Sequence, residues 1–381
     1  MKQILIMLIM AAGLLSGNTY AQNGSNRLFT TSKCFDLIAS LQYFDKIKDS
    51  SHFCHLATDS TFMCHLNRIN NIVTASKLCN FYATFNGDRN NTDACIQFFA
   101  SLSDNETVSR DNSKWINRIT GLQPQLTYCL SAINSSGYSQ YWDLNIKPVL
   151  VSYINSYKVS DEILNTIHEA MSDFSGPEGL PETHSNIYVL NIDNAFNLSD
   201  ESFCCTPLLL DKEMEKQFRI DFLKVYIHEN LHRLKISDTL MKRLEELKAD
   251  VFYKENEAIA SNHREGLNEA FVVAAEVFIS HKIGRRDIKD VYDEFSEYVD
   301  GSLVLAPIIY VYLNEKLKQE SFNDFILRLF DNGIIKVGSV KSEYQKAMTQ
   351  IKIFIKMTDK DMDKNRTATL EIMDGNIRNI S

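Results

Sequence analysis

Hydrophobic residues recur at helical spacing along most of the chain, and residues 221–234 concentrate them. There Phe222, Val225, Leu231 and Leu234, continuing from Phe218, fall along one side of a helix, while Leu223, Tyr226 and Ile227 fill a second. No Pro or Gly interrupts residues 211–234. A helix that is apolar on most sides is a buried helix, and a polar group within it needs a partner. A second apolar helix is predicted from Leu267, with Gly284 as its stop. Its only carboxylates are Glu269 and Glu276, seven residues apart and so on one face, and no basic residue lies between Leu267 and Ser280. Between the two helices Ser237 opens another, with Leu240, Leu244, Leu247 and Val251 on one stripe; polar residues 256–265 read as a loop.

Upstream, residues 28–131 show helical patterning, for which Phe35, Leu37, Ile38, Leu41 and Phe44 are an early example. Pro148 fits the first turn of a helix reaching about Tyr157. Ser160 caps another that carries Ile163, Ile167, Met171 and Phe174 on one face and ends at Gly176-Pro177; His168-Glu169 within it reads as surface. A Gly/Pro-rich turn at 175–181 precedes residues 186–192, a compact strand signal. That strand fits an internal core position and an edge able to pair with an extended peptide equally well. Amphipathic helices are predicted at 288–298, 303–317, 322–330 and 342–356, with Tyr298, Tyr310 and Tyr312 read as packing residues. The fold class is therefore α-rich α+β with a small β-sheet.

Composition sharpens this picture. The first residues hold one positive charge, Lys2, then an apolar core and the small residues Thr19 and Ala21, which reads as a signal peptide over residues 1–21 cleaved near Ala21. The mature protein is expected to be secreted or periplasmic, and no later apolar run is long enough to span a membrane. A net charge of -9 argues against nucleic acid and anionic membrane as partners, and 44% hydrophobic residues supply ample core. All eight cysteines lie at or before Cys205. An even number in an exported chain predicts disulfides and a helical, Cys-containing N-terminal region over 22–147. Residues 148–357 would then form a Cys-poor second domain ahead of a charged tail, 358–381.

The chemistry lies in the first apolar helix, where His228, Glu229 and His232 form the pattern H-E-x-x-H. Residues four apart share a helix face, so two imidazoles at this spacing can grip one ion, and Glu229 stands where a carboxylate can accept a proton from water. Two satisfied core histidines beside an ion-paired Glu are the plainer alternative. A catalytic zinc site needs a third protein ligand and an open position. For a Glu in the second apolar helix the plainer alternative is an ion pair, which the lack of neighbouring Lys or Arg weakens.

H-E-x-x-H followed by Asn268-Glu269-Ala270 at the start of a second helix resembles the gluzincins, the thermolysin-like zincin metallopeptidases. Within that group the chain is most similar to secreted bacterial proteins whose domain carries no assigned activity. The resemblance covers about residues 187–280. It implies a zincin-like metallopeptidase domain, Zn2+ held by His228, His232 and Glu269, and Glu229 as catalytic general base. The implied activity is hydrolysis of a peptide or protein substrate by a metal-activated water. Three features depart from the family pattern. The insert at 233–268 is longer, Val273 stands where the family has an acidic residue, and no downstream His or Tyr matches the group that stabilises the tetrahedral intermediate. The rival expectation is a catalytically inactive binding or adhesin-like protein with a structural zinc site, closed by a fourth ligand such as His263, Glu265 or a cysteine.

Overall fold

The computed structural model describes residues 29–84, 88–102, 114–157, 159, 161–178, 186–198, 202–213, 222–263 and 265–355. The expected signal peptide and the charged tail lie outside these residues. The chain divides into two units: residues up to Ser160 together with Glu182–Val225, and Asp161–Pro181 together with the chain from Tyr226 onward. The boundary expected at 147 falls instead inside a continuous helical run. Trp142–Ile146 forms a π-helical turn that passes directly into helix Lys147–Ser156, with Pro148 in its first turn as its sequence suggested.

The first unit packs helices around a small sheet. Helix Gln123–Ser135 packs on both Ser60–Asn70 and Thr92–Ala100, while Lys33–Ala39 packs on Ala75–Ala83. Lys33–Ala39 is buried along nearly its whole length, and Phe35, Leu37, Ile38, Leu41 and Phe44 are all buried as the pattern predicted. A polar contact pins this core. Trp142 Nε1 donates to Asp36 Oδ2 at 2.7 Å, and the Asn191 backbone N–H donates to Asp36 Oδ1 at 2.6 Å. The four strands are β1 (Phe29–Thr30), β2 (Asn186–Val189), β3 (Ala195–Asn197) and β4 (Ser202–Cys205), in the order β1-β2-β4-β3. β2 pairs in parallel with β1 on one side and with β4 on the other, and β3 closes the sheet antiparallel to β4. The strand read from residues 186–192 is thus internal. Ile187, Tyr188 and Val189 are buried in succession on both faces, which is the pattern of a covered parallel strand.

Cys34, Cys54, Cys64, Cys79, Cys95, Cys129 and Cys205 are free thiols in the structure, which differs from the disulfide-stapled region expected. Cys34 donates to the Asp88 carbonyl at 3.2 Å and Cys79 to that of Phe35 at 3.7 Å, so these thiols act as small buried core residues. Apolar packing closes this core: Phe35, Phe62, Phe81, Phe99, Cys79 and Cys95 are all fully buried.

The second unit is helical. Glu269–Lys282 is its central element, buried on every side and packed on Leu305–Tyr312, Ile288–Glu297 and Asp161–Ser175. In Asp161–Ser175 the buried stripe is Leu164, Ile167, Met171 and Phe174, and His168 is half-buried, contacting the Tyr226 hydroxyl at 2.9 Å instead of facing water. Ser237 caps helix Asp238–Leu247 as predicted, and Leu240, Leu244 and Leu247 are buried. Val251 is exposed, however, because the helix stops at Leu247 and a new one, Val251–Asn262, begins. Asp250 starts it by accepting the Tyr253 N–H at 3.0 Å, and its other oxygen accepts the Gly338 N–H at 2.7 Å. Most of the loop expected at 256–265 is therefore helix. The chain then supplies Ile288–Glu297, Leu305–Tyr312, Phe322–Asp331 and a helix over 340–355. Among the described residues no helix is long and apolar enough to cross a membrane.

Candidate metal centre

Helix Phe222–Leu231 presents His228 and Glu229, and His232 follows at its end, where its N–H still bonds back to the His228 carbonyl at 3.3 Å. Ligand atoms of His228, Glu229 and His232 lie within 4.8 Å of one another, and this group can hold a metal ion. Tighter geometry runs through a fourth residue. The His228 and His232 Nε2 atoms are 3.1 Å apart. Glu269 Oε1 lies 3.4 Å from His228 Nε2, and Glu269 Oε2 lies 3.4 Å from His232 Nε2. A tetrahedral ion with bonds of about 2.0–2.1 Å separates its ligand atoms by about 3.3 Å, and each of these contacts is near that spacing, the two Glu269 oxygens facing one imidazole each. The chemistry of the donors fits as well, two imidazoles and a carboxylate being an ordinary zinc set.

Glu269 opens its own helix, with Asn268 as the preceding cap residue and its carboxylate in the first turn, where helix N-termini favour negative charge. Asn268 Nδ2 lies 3.5 Å from His232 Nδ1, the ring nitrogen turned away from the shared point. Val273 is buried and apolar, so the acidic residue of the family pattern has no counterpart there.

The other carboxylate of this helix has a different fate. Glu276, 1% exposed, bonds Arg286 through Nη2–Oε2 at 2.6 Å and accepts from the Ser280 hydroxyl at 2.7 Å. Arg286 also bonds Glu294 at 2.9 Å. The ion pair thus exists, but for Glu276 alone, and its cation comes from beyond the helix. Sequence spacing put both carboxylates on one face, and only tertiary structure separates the one beside the histidines from the one that anchors the helix.

Electrostatics around the cluster are unusual. Burial pushes the Glu229 carboxyl up to about 7, and the Glu269 and Glu265 carboxylates add to the shift. Burial likewise raises Glu269 to about 7, with Glu265 contributing and a hydrogen bond from Tyr298 opposing. Burial lowers the His232 pKa, which keeps its ring neutral and able to coordinate. Three carboxyl groups crowd two imidazoles, an arrangement that a divalent cation would relieve.

Tyr298 was read from sequence as packing, yet its hydroxyl donates to Glu269 Oε1 at 3.0 Å. Burial, then the carboxylates of Glu269 and Glu265, raise its pKa, so the phenol keeps the proton it donates. No local pattern marks this contact, which spans 29 residues of sequence. His263, one of the possible fourth ligands, is engaged elsewhere, with Nε2 at 2.8 Å from Asp300 Oδ2. Comparisons of the chain with protein families, with curated proteins and with solved structures found no match.

Proposed function

We propose that the protein is a secreted zinc metallopeptidase of the gluzincin type, with His228, His232 and Glu269 as the metal ligands and Glu229 as general base. The observation that carries this reading is the set of separations among the two Nε2 atoms and the Glu269 carboxylate, 3.1, 3.4 and 3.4 Å. Zinc held by these residues would supply Lewis acidity, making an adjacent water easier to deprotonate and a carbonyl easier to attack. The chain's own residues do the rest. The two imidazoles and Glu269 would fix where the ion is held. Glu229, in the same cluster, accepts the proton from the attacking water as the new C–O bond forms. It then delivers that proton to the amine nitrogen as the C–N bond breaks.

The rival is a binding protein whose zinc is structural and needs a fourth protein ligand. The pairing of His263 with Asp300 takes one possible fourth ligand away from that reading. The test is to digest a diverse peptide library with zinc-loaded protein, then strip the metal with a chelator and restore it. Cleavage that disappears and returns with zinc supports the proposal. Stoichiometric zinc without any cleavage refutes it and favours the structural site.

A further inference from the structure

We propose that the turn Tyr298–Gly301 is a positioning device that holds Glu269 at the point His228 and His232 share, with Tyr298 as its working residue. This rests on the metal-site reading above and adds to it a residue and a backbone conformation outside the ligand set.

Two independent observations meet in this turn. The first is the contact itself: the buried Glu269 carboxylate receives the Tyr298 hydroxyl on Oε1, the same oxygen that lies 3.4 Å from His228. A hydrogen bond to the ligand carboxylate fixes which way its oxygens face and thereby how they meet an ion. The second is the backbone. Val299 and Asp300 adopt φ of 53° and 56°, and Gly301 follows at 68°. These are the only non-glycine residues at positive φ among the described residues. Left-handed backbone is disfavoured for L residues and most of all for a β-branched one such as Val.

An ordinary helix stop would put glycine at the first left-handed position. Here glycine comes third, where a Cβ would meet the Ser296 carbonyl oxygen at 2.9 Å, and Val and Asp carry the strain before it. The surroundings hold them there. Val299 is buried, its carbonyl accepts from the Ser302 hydroxyl at 2.7 Å, and Asp300 meets His263. Backbone strain retained beside a reactive cluster points to a geometric requirement at that place. The group whose position the strain fixes is the residue just before it, Tyr298.

The test measures zinc affinity by chelator competition for the full-length parent, Tyr298→Phe and the double variant Asp300→Gly/His263→Ala, with melting of the metal-free proteins as a control. Visible spectra of the Co2+-loaded forms report directly on the ligand geometry. Tyr298→Phe should bind zinc about 10- to 100-fold more weakly and shift the Co2+ spectrum, while the metal-free protein melts near the parent temperature. Asp300→Gly keeps the phenol but frees the backbone to leave the left-handed region; made together with His263→Ala, so that the released imidazole cannot reach the metal, it should show a smaller loss in the same direction. The pair alters exposed residues, so it remains informative if Tyr298→Phe does not fold. The proposal is overturned if the parent binds zinc and the folded variants match it within about twofold with unchanged Co2+ spectra. A parent that takes up no zinc removes the metal site itself, and this inference goes with it.

Discussion

Replacing Arg286 with Ala should destabilise the second unit by about 3–5 kcal/mol, the scale for stripping a buried charge of its partner. The guanidinium is 7% exposed at the side chain and bonds two carboxylates, one of which, Glu276, is 1% exposed. Its removal leaves a carboxylate inside the apolar helix Glu269–Lys282 without its countercharge. For a unit of this size that loss lowers the melting temperature by roughly 6–20 °C. Circular dichroism melts at neutral pH would read it, supported by urea midpoints. The double variant Arg286→Met/Glu276→Met removes both charges and should recover most of the loss, because apolar replacement of a whole buried pair is often close to neutral. It should also bind metal like the parent, since Glu276 anchors the helix and takes no part in the cluster. An Arg286→Ala cost below about 1 kcal/mol would refute the reasoning, as would a double variant no more stable than the single one.

Glu269→Gln and His232→Ala should each lose stoichiometric metal in elemental analysis of purified protein, and retention by either would remove that residue from the ligand set. Asp250→Ala should cost about 1–3 kcal/mol, because it removes both a helix cap and an acceptor for the Gly338 N–H; an unchanged urea midpoint would contradict this. Burial raises the Asp36 carboxyl from 3.8 to about 7, against opposing hydrogen bonds from Trp142 and Asn191. Its unfolded form ionises first, so its contribution to stability is full at low pH and is lost as pH rises through the folded value. Urea midpoints between these pH limits should fall more steeply for the parent than for Asp36→Asn, and equal slopes would show that Asp36 is ionised throughout.

Local chemistry was legible in the sequence wherever a short spacing determines it. His228 and His232, four apart, share a helix face by periodicity alone, with Glu229 next to the first, and the apolar run after Leu267 could be read as a buried helix ending near Gly284. Helix starts at Ser237 and Pro148 followed from capping and from the fixed φ of proline. What failed was tertiary. Nothing in the spacing of Glu269 and Glu276 shows that Arg286 folds back onto the second, or that Tyr298 reaches the first. Val251 continued the stripe of the preceding helix by count, yet Asp250 stops that stripe with a cap that also binds Gly338. The count of cysteines suggested bridges, while the structure buries most of them as single thiols within an aromatic core. The internal place of β2 likewise depends on partners from both ends of its unit, β1 and β4, which no local signal pairs.

The most direct test of the account is the rate of peptide cleavage by Glu229→Gln at the same zinc content as the parent. Gln keeps the size and hydrogen-bonding capacity of the side chain but removes the proton acceptor. The account predicts near-parental zinc and melting temperature with cleavage slowed by roughly 10²-fold or more, the scale of general-base catalysis. An unchanged rate would contradict it.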